Sequence, residues 1–217
     1  MFIRENEIIS LTPQNESEAK LLKYIKRKNG WNMNTQFNDY KINGDGTVTI
    51  DLINGLKTTL SYEDYQSINS KITITSLKNL AGGFYAQIAI EGKTMPLHRH
   101  IMRHELEKYE GFKEETGLSI VVNHIDEDSL NNTPENLEVV TQGENTLKSH
   151  LNHARGFSIT PNGKFKTKLS MYKYIGTFDT KEEAREAYVN AVNAELERLE
   201  AIRINWLIKN GRIAGVQ

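Results

Sequence analysis

Val121-Val122-Asn123-His124-Ile125-Asp126 is a short β-type run that delivers a histidine at its end. A polar loop follows, through Leu130-Asn131-Asn132 to Glu135-Asn136-Leu137, and Val139-Val140-Thr141 supplies a second short strand. A helix is predicted to start near Thr141 and to carry Glu144-Asn145-Thr146. Strand, loop, strand and helix thus bring His124, Asn136 and Asn145 in on successive elements. A neutral imidazole, with an ordinary pKa of about 6.5, accepts a proton from water at cellular pH. A loop asparagine is suited to hold that imidazole in one tautomer, through its side chain or its carbonyl. Asp126-Glu127-Asp128 suggests a calcium loop, but Leu130 stands at the fifth position, no glycine at the sixth, and Leu137 replaces the closing glutamate.

Working upstream, Leu97-His98-Arg99-His100-Ile101-Met102 follows Pro96 and is expected to lead into a helix. His98 and His100 suit packing and hydrogen bonding better than metal binding, whereas Arg99 can reach a phosphate. From Tyr40 to Ile90 the texture is β: Thr47-Val48-Thr49-Ile50 and Lys71-Ile72-Thr73-Ile74-Thr75 alternate, and Phe84 to Ile90 turns at Glu91-Gly92-Lys93. This region is expected to frame the site rather than perform chemistry. Further upstream, Thr12-Pro13 opens a helix that Asn29-Gly30 stops.

The 217 residues carry 38% hydrophobic and 25% charged side chains and no cysteine. Disulfides and thiolate-bound zinc are therefore excluded, and any metal must sit on oxygen or imidazole ligands. No run approaches the roughly 20 apolar residues of a membrane span, so a cytoplasmic, membrane-free protein is expected. The net charge of −1 hides segregation. Lys148 to Phe178 contains no Asp or Glu but holds Lys148, Arg155, Lys164, Lys166, Lys168 and Lys173, which suits a phosphate-binding face.

The central segment resembles the HNH (ββα-metal) nuclease family, especially its phage and homing-endonuclease branch. The resemblance covers roughly residues 58 to 150 and includes the lead-ins Leu60-Ser61-Tyr62-Glu63-Asp64-Tyr65 and Leu97-His98-Arg99-His100-Ile101. It implies His124 as general base, Asn136 as the middle catalytic letter, and Asn145 as a metal ligand on the helix. Asn123 occupies the place where many members carry a metal-binding aspartate. One divalent ion, Mg²⁺ or Mn²⁺, is the implied cofactor. Two neutral amide ligands predict weak ion binding until phosphate oxygens complete the site.

A second resemblance begins at Gly156-Phe157-Ser158-Ile159. It runs through Gly163-Lys164-Phe165-Lys166-Thr167-Lys168-Leu169, Tyr174-Ile175-Gly176-Thr177-Phe178-Asp179-Thr180, Glu182-Glu183-Ala184 and Ala187-Tyr188. It is similar to the plant ethylene-response-factor type of DNA-binding domain, a three-stranded sheet backed by one helix. Strand alternation by itself puts Lys164, Lys166 and Lys168 on one face and Phe165, Thr167 and Leu169 on the other. Thr180 and Glu183 form a predicted capping box for a long helix with an apolar face of Ala184, Ala187, Tyr188, Ala191 and Val192.

The expected fold is α+β, with an N-terminal helical segment over 1–35, an antiparallel β region over 36–95, a ββα-metal core over 96–150 and a sheet-plus-helix DNA-binding module over 151–217. The expected activity is metal-dependent hydrolysis of double-stranded DNA, with Arg99, Arg155, Lys164, Lys166, Lys168 and Lys173 as DNA contacts. One active site per chain nicks, and a homodimer would be needed to cut both strands. The alternatives are a catalytically impaired DNA-binding regulator on the same fold and an RNA-directed nuclease. Because the implied catalytic set ends at Asn145, the chain from about Gly156 is expected to be separable from it.

Overall fold

The computed structural model describes residues 38–214 apart from 53–54, 69–71, 77–82, 91 and 171–172. The helix expected from Thr12, and the whole 1–35 segment, lie outside the described residues. The chain is α+β, built from small antiparallel sheets and helices.

Strands β1 (Tyr40–Ile42), β2 (Thr47–Asp51) and β3 (Lys57–Ser61) form one antiparallel sheet in that order. The turn after β1 is tied by Asn43, whose amide donates to Thr47 and Thr49, and by Asp45, which accepts from the Thr47 N–H. Period-two alternation buries Val48 and Ile50 while Thr47 and Thr49 face outward. Ser61 then caps a short helix, α1 (Tyr62–Ser67), by accepting from the Asp64 N–H. Strands β4 (Thr73–Ser76), β5 (Phe84–Ile90) and β6 (Lys93–Pro96) make a second three-stranded sheet, so the 36–95 region holds two sheets instead of one. Val48, Ile50, Leu60, Ile72, Ala86, Ile88 and Leu97 close one core across both of them.

Three short helices, α2 (Leu97–Ile101), α3 (Arg103–Glu107) and α4 (Phe112–Thr116), lead to the antiparallel ribbon of β7 (Ile120–His124) and β8 (Leu137–Thr141). The predicted helix start is sharp. Helix α5 (Gln142–His153) begins at Thr141 with a full capping box to Glu144, and it runs past the boundary expected at residue 150.

The last unit is the sheet β9 (Phe157–Ile159), β10 (Phe165–Lys168) and β11 (Tyr174–Phe178), with β10 central, backed by the 29-residue α6 (Lys181–Lys209). Thr167 is fully buried and donates its hydroxyl to the Ala184 carbonyl, which seats β10 on the helix. Gly156, at φ +83°, makes the turn from α5 into β9, and a Cβ there would lie 2.5 Å from the Tyr188 ring. At about 1.5 Å per residue, α6 is roughly 43 Å long, and it serves two partners. Tyr188 and Val192 pack with Leu147 and Leu199, while Trp206 and Leu207 close over Phe112. The expectation that the chain after Gly156 separates from the central segment is therefore corrected, because the far half of α6 completes the core beneath β7 and α5. Among the described residues no helix is long and apolar enough to cross a membrane.

Candidate functional site

Alternation along β7 turns Val122 and His124 inward and leaves Asn123 half-buried beside them. His124 is only 6% exposed. Its ring lies 6.0 Å from that of Tyr85 at an interplanar angle of 25°, and 5.1 Å from that of His98, edge-on. Its Nε2 is 3.2 Å from Oδ1 of Asn132. Burial pushes the His124 pKa below the ordinary value, against the hydrogen bond to Asn132 and the charges of Asp126 and Asp128. Burial also drives His98 down to about 3, helped by His124 and Arg99. Both imidazoles are therefore neutral at pH 7, the form in which a histidine can take a proton. Nδ1 of His98 is buried with no partner among the described residues.

Asn136 lies elsewhere than its expected role requires. Its carbonyl accepts from the Ile125 N–H at 2.9 Å. Its side chain accepts from the Asp126 N–H at 3.0 Å and donates to the Asp126 carboxylate and the Asn131 carbonyl, each at 2.8 Å. The ladder pairs His124 with Leu137, and the preceding Asn136 bonds to Asp126 and Asn131 of the loop, with no hydrogen bond to the ring among the described residues. Asn136 builds the loop, and Asn132 contacts the imidazole. The same bonds occupy Asp126: burial pushes its pKa up, but hydrogen bonds from Asn131, the Asp128 N–H and Asn136 outweigh that and hold it low. At the next residue the loop takes a left-handed turn, Glu127 at φ 65°, where its carboxylate meets Asn152 at 2.9 Å and His153 at 2.6 Å at the end of α5.

Beside His124 runs an open groove of about 730 Å³, lined among others by Tyr85, Asn123, Glu138, Asn145 and Lys148. Asn123 and Glu138 are cross-strand partners, and the Asn123 amide donates to Glu138 Oε1 at 2.8 Å. Lys148, on α5, reaches both Glu138 oxygens at 2.7 Å. Asn145, in the first turn of α5, makes no side-chain hydrogen bond among the described residues. Glu138 is not among the residues expected from the sequence, although strand register points to it: a ribbon that sets His124 opposite Leu137 sets Asn123 opposite Glu138. Among the described residues no group of three or more His, Asp or Glu side chains is arranged for a metal ion. An ion in this groove would draw on the amide oxygens of Asn123 and Asn145 and on the Glu138 carboxylate, a hard, all-oxygen donor set that suits Mg²⁺ or Mn²⁺.

Among the described residues, the basic side chains divide into those that meet a carboxylate and those that do not. Lys164 meets Asp179 at 2.8 Å and Lys173 meets Glu195 at 3.1 Å, so each already has a counter-charge. Lys166 lies over the exposed Tyr174 ring at 5.9 Å, and Lys168 is exposed, both on the face of β10 opposite Thr167. Arg155 stands 5.9 Å over Phe157 at the edge of the same sheet, whereas Arg99 is exposed on α2. Compared with known protein families, with curated proteins and with solved structures, the chain matches none of them.

Proposed function

We propose that the protein is a metal-dependent DNA endonuclease of the HNH kind. The observation that carries this reading is the meeting, in one groove, of a buried neutral histidine at a strand end with oxygen donors on the paired strand and on the first turn of the next helix. His124 is the general base that takes a proton from the attacking water. Tyr85 and His98 flank its ring and keep it from turning. Asn123, Glu138 and Asn145 would hold the divalent ion, which when bound supplies positive charge to the scissile phosphate and the departing oxygen. Lys148 also reaches both oxygens of the Glu138 carboxylate, so its ammonium would compete with the ion for that group. Lys166, Lys168 and Arg155 offer the three-stranded sheet to DNA phosphates.

The second reading, a catalytically impaired DNA-binding regulator, is favoured by one observation, the ammonium of Lys148 on the carboxylate nearest Asn123. Incubating the protein with matched duplex DNA and RNA in Mg²⁺ or Mn²⁺, with and without EDTA, tests both. EDTA-sensitive cleavage of DNA supports the nuclease. Binding to DNA without cleavage under any metal supports the regulator.

A further inference from the structure

The first sheet reaches into the site by a chain of hydrogen bonds whose direction can be worked out. The Leu130 carbonyl can only accept, and the Thr58 hydroxyl lies 2.7 Å from it, so Thr58 spends its one proton there. Thr58 Oγ1 must then accept from its other neighbour, the Asn132 side chain at 2.9 Å, which fixes the NH₂ end of that amide toward Thr58. The oxygen end of Asn132 therefore faces Nε2 of His124 at 3.2 Å. An amide oxygen has no proton to give, so Nε2 must carry one.

All three side chains are buried, with Asn132 0%, Thr58 1% and His124 6% exposed, so water cannot rearrange the chain. The backbone fixes it further. The Thr59 N–H donates to the Leu130 carbonyl at 3.0 Å, and the Asn132 N–H donates to the Thr59 carbonyl at 2.7 Å. These zip the loop onto β3. Nδ1 of His124 has no partner among the described residues and is not among their buried, unpaired polar atoms.

We propose that Thr58, acting through Asn132, sets His124 in the Nε2–H tautomer and leaves Nδ1 as the nitrogen that takes the proton. Thr58 and Asn132 are positioning residues, and the first sheet is part of the catalytic apparatus. The role of Nδ1 rests on the nuclease reading, while the tautomer does not.

The test is two-bond ¹H–¹⁵N correlation of histidine-labelled full-length protein at pH 7.5, with His124 assigned from its loss in His124→Ala. Wild type and Thr58→Ser, which keeps the hydroxyl, are expected to show protonated Nε2. In Thr58→Val the Asn132 amide has no reason to keep its orientation, and the Nδ1–H form should appear. Plasmid cleavage should follow: kcat about tenfold or more lower in Thr58→Val, KM little changed, and recovery in Thr58→Ser. A wild-type His124 protonated at Nδ1 overturns the proposal, whether or not the valine variant folds. So does a folded Thr58→Val with unaltered tautomer and kcat. If the tautomers behave as expected but wild type cleaves nothing, the nuclease reading fails and the relay stands.

Discussion

Arg203, near the end of α6, engages the carboxylate of Glu144 in the first turn of α5, with Nε 3.2 and 3.3 Å from its two oxygens and Nη2 3.1 Å from Oε1. Glu144 is also the capping-box residue of α5, accepting from the Thr141 N–H at 2.7 Å. The Glu144 side chain is 3% exposed. The C-terminal helix thus fixes the helix that carries Asn145. Arg203→Ala leaves a buried carboxylate without its counter-charge, and a loss of about 3–5 kcal/mol in urea unfolding is expected. A loss under about 1 kcal/mol would show the pair to be incidental.

The groove residues differ in the sign of their expected effects. Glu138→Gln and Asn145→Ala should each raise the Mn²⁺ concentration needed for half-maximal cleavage, by about tenfold or more, with partial recovery at high Mn²⁺. Lys148→Met frees the Glu138 carboxylate and should lower that concentration. Metal titrations that coincide for all three variants and wild type would remove these residues from ion binding.

His98, driven to about 3 chiefly by burial, gives stability a pH dependence of known sign. Its ordinary pKa is about 6.5, so between these values the unfolded chain binds a proton that the folded chain refuses. The contribution is full above about pH 6.5 and is lost as the pH falls toward 3; His124, also lowered by burial, acts in the same direction. Urea midpoints should fall from pH 7.5 to 5, and His98→Phe should flatten the fall. Equal slopes for variant and wild type would contradict the assignment.

On the three-stranded sheet, free and paired lysines should differ. A lysine that neutralises one DNA phosphate adds about 0.9 to the slope of log affinity against log salt. Lys166→Ala with Lys168→Ala should therefore remove up to about 1.8 units of slope. Lys164→Ala should remove less, because Asp179 already neutralises that ammonium. A larger effect from Lys164, measured by fluorescence anisotropy across a salt series, would place the DNA face elsewhere.

The elements that local chemistry dictates were legible from the sequence. A helix does start at Thr141, Thr180 with Glu183 does form a capping box, and alternation separates Val48 and Ile50 from Thr47 and Thr49, and buried Thr167 from exposed Lys168. Asn132 was not legible as the partner of His124, because that pairing depends on the path of the loop over β3 and on Thr58, 74 residues away from Asn132 in sequence. Arg203 was hidden for a related reason. Helical periodicity gives the apolar face of α6 but not the residue 59 positions upstream that its arginine meets. Glu138 stood in plain sight, and only strict use of strand register would have raised it.

The most direct measurement is nicking of a supercoiled plasmid by wild type and by His124→Ala in Mn²⁺, alongside a DNA-binding assay of both. The expected result is EDTA-sensitive nicking by wild type, a loss on the order of 10²–10⁴-fold in the variant, and near-equal DNA affinity. Cleavage by His124→Ala within about threefold of wild type, well short of that loss, would contradict His124 as the base.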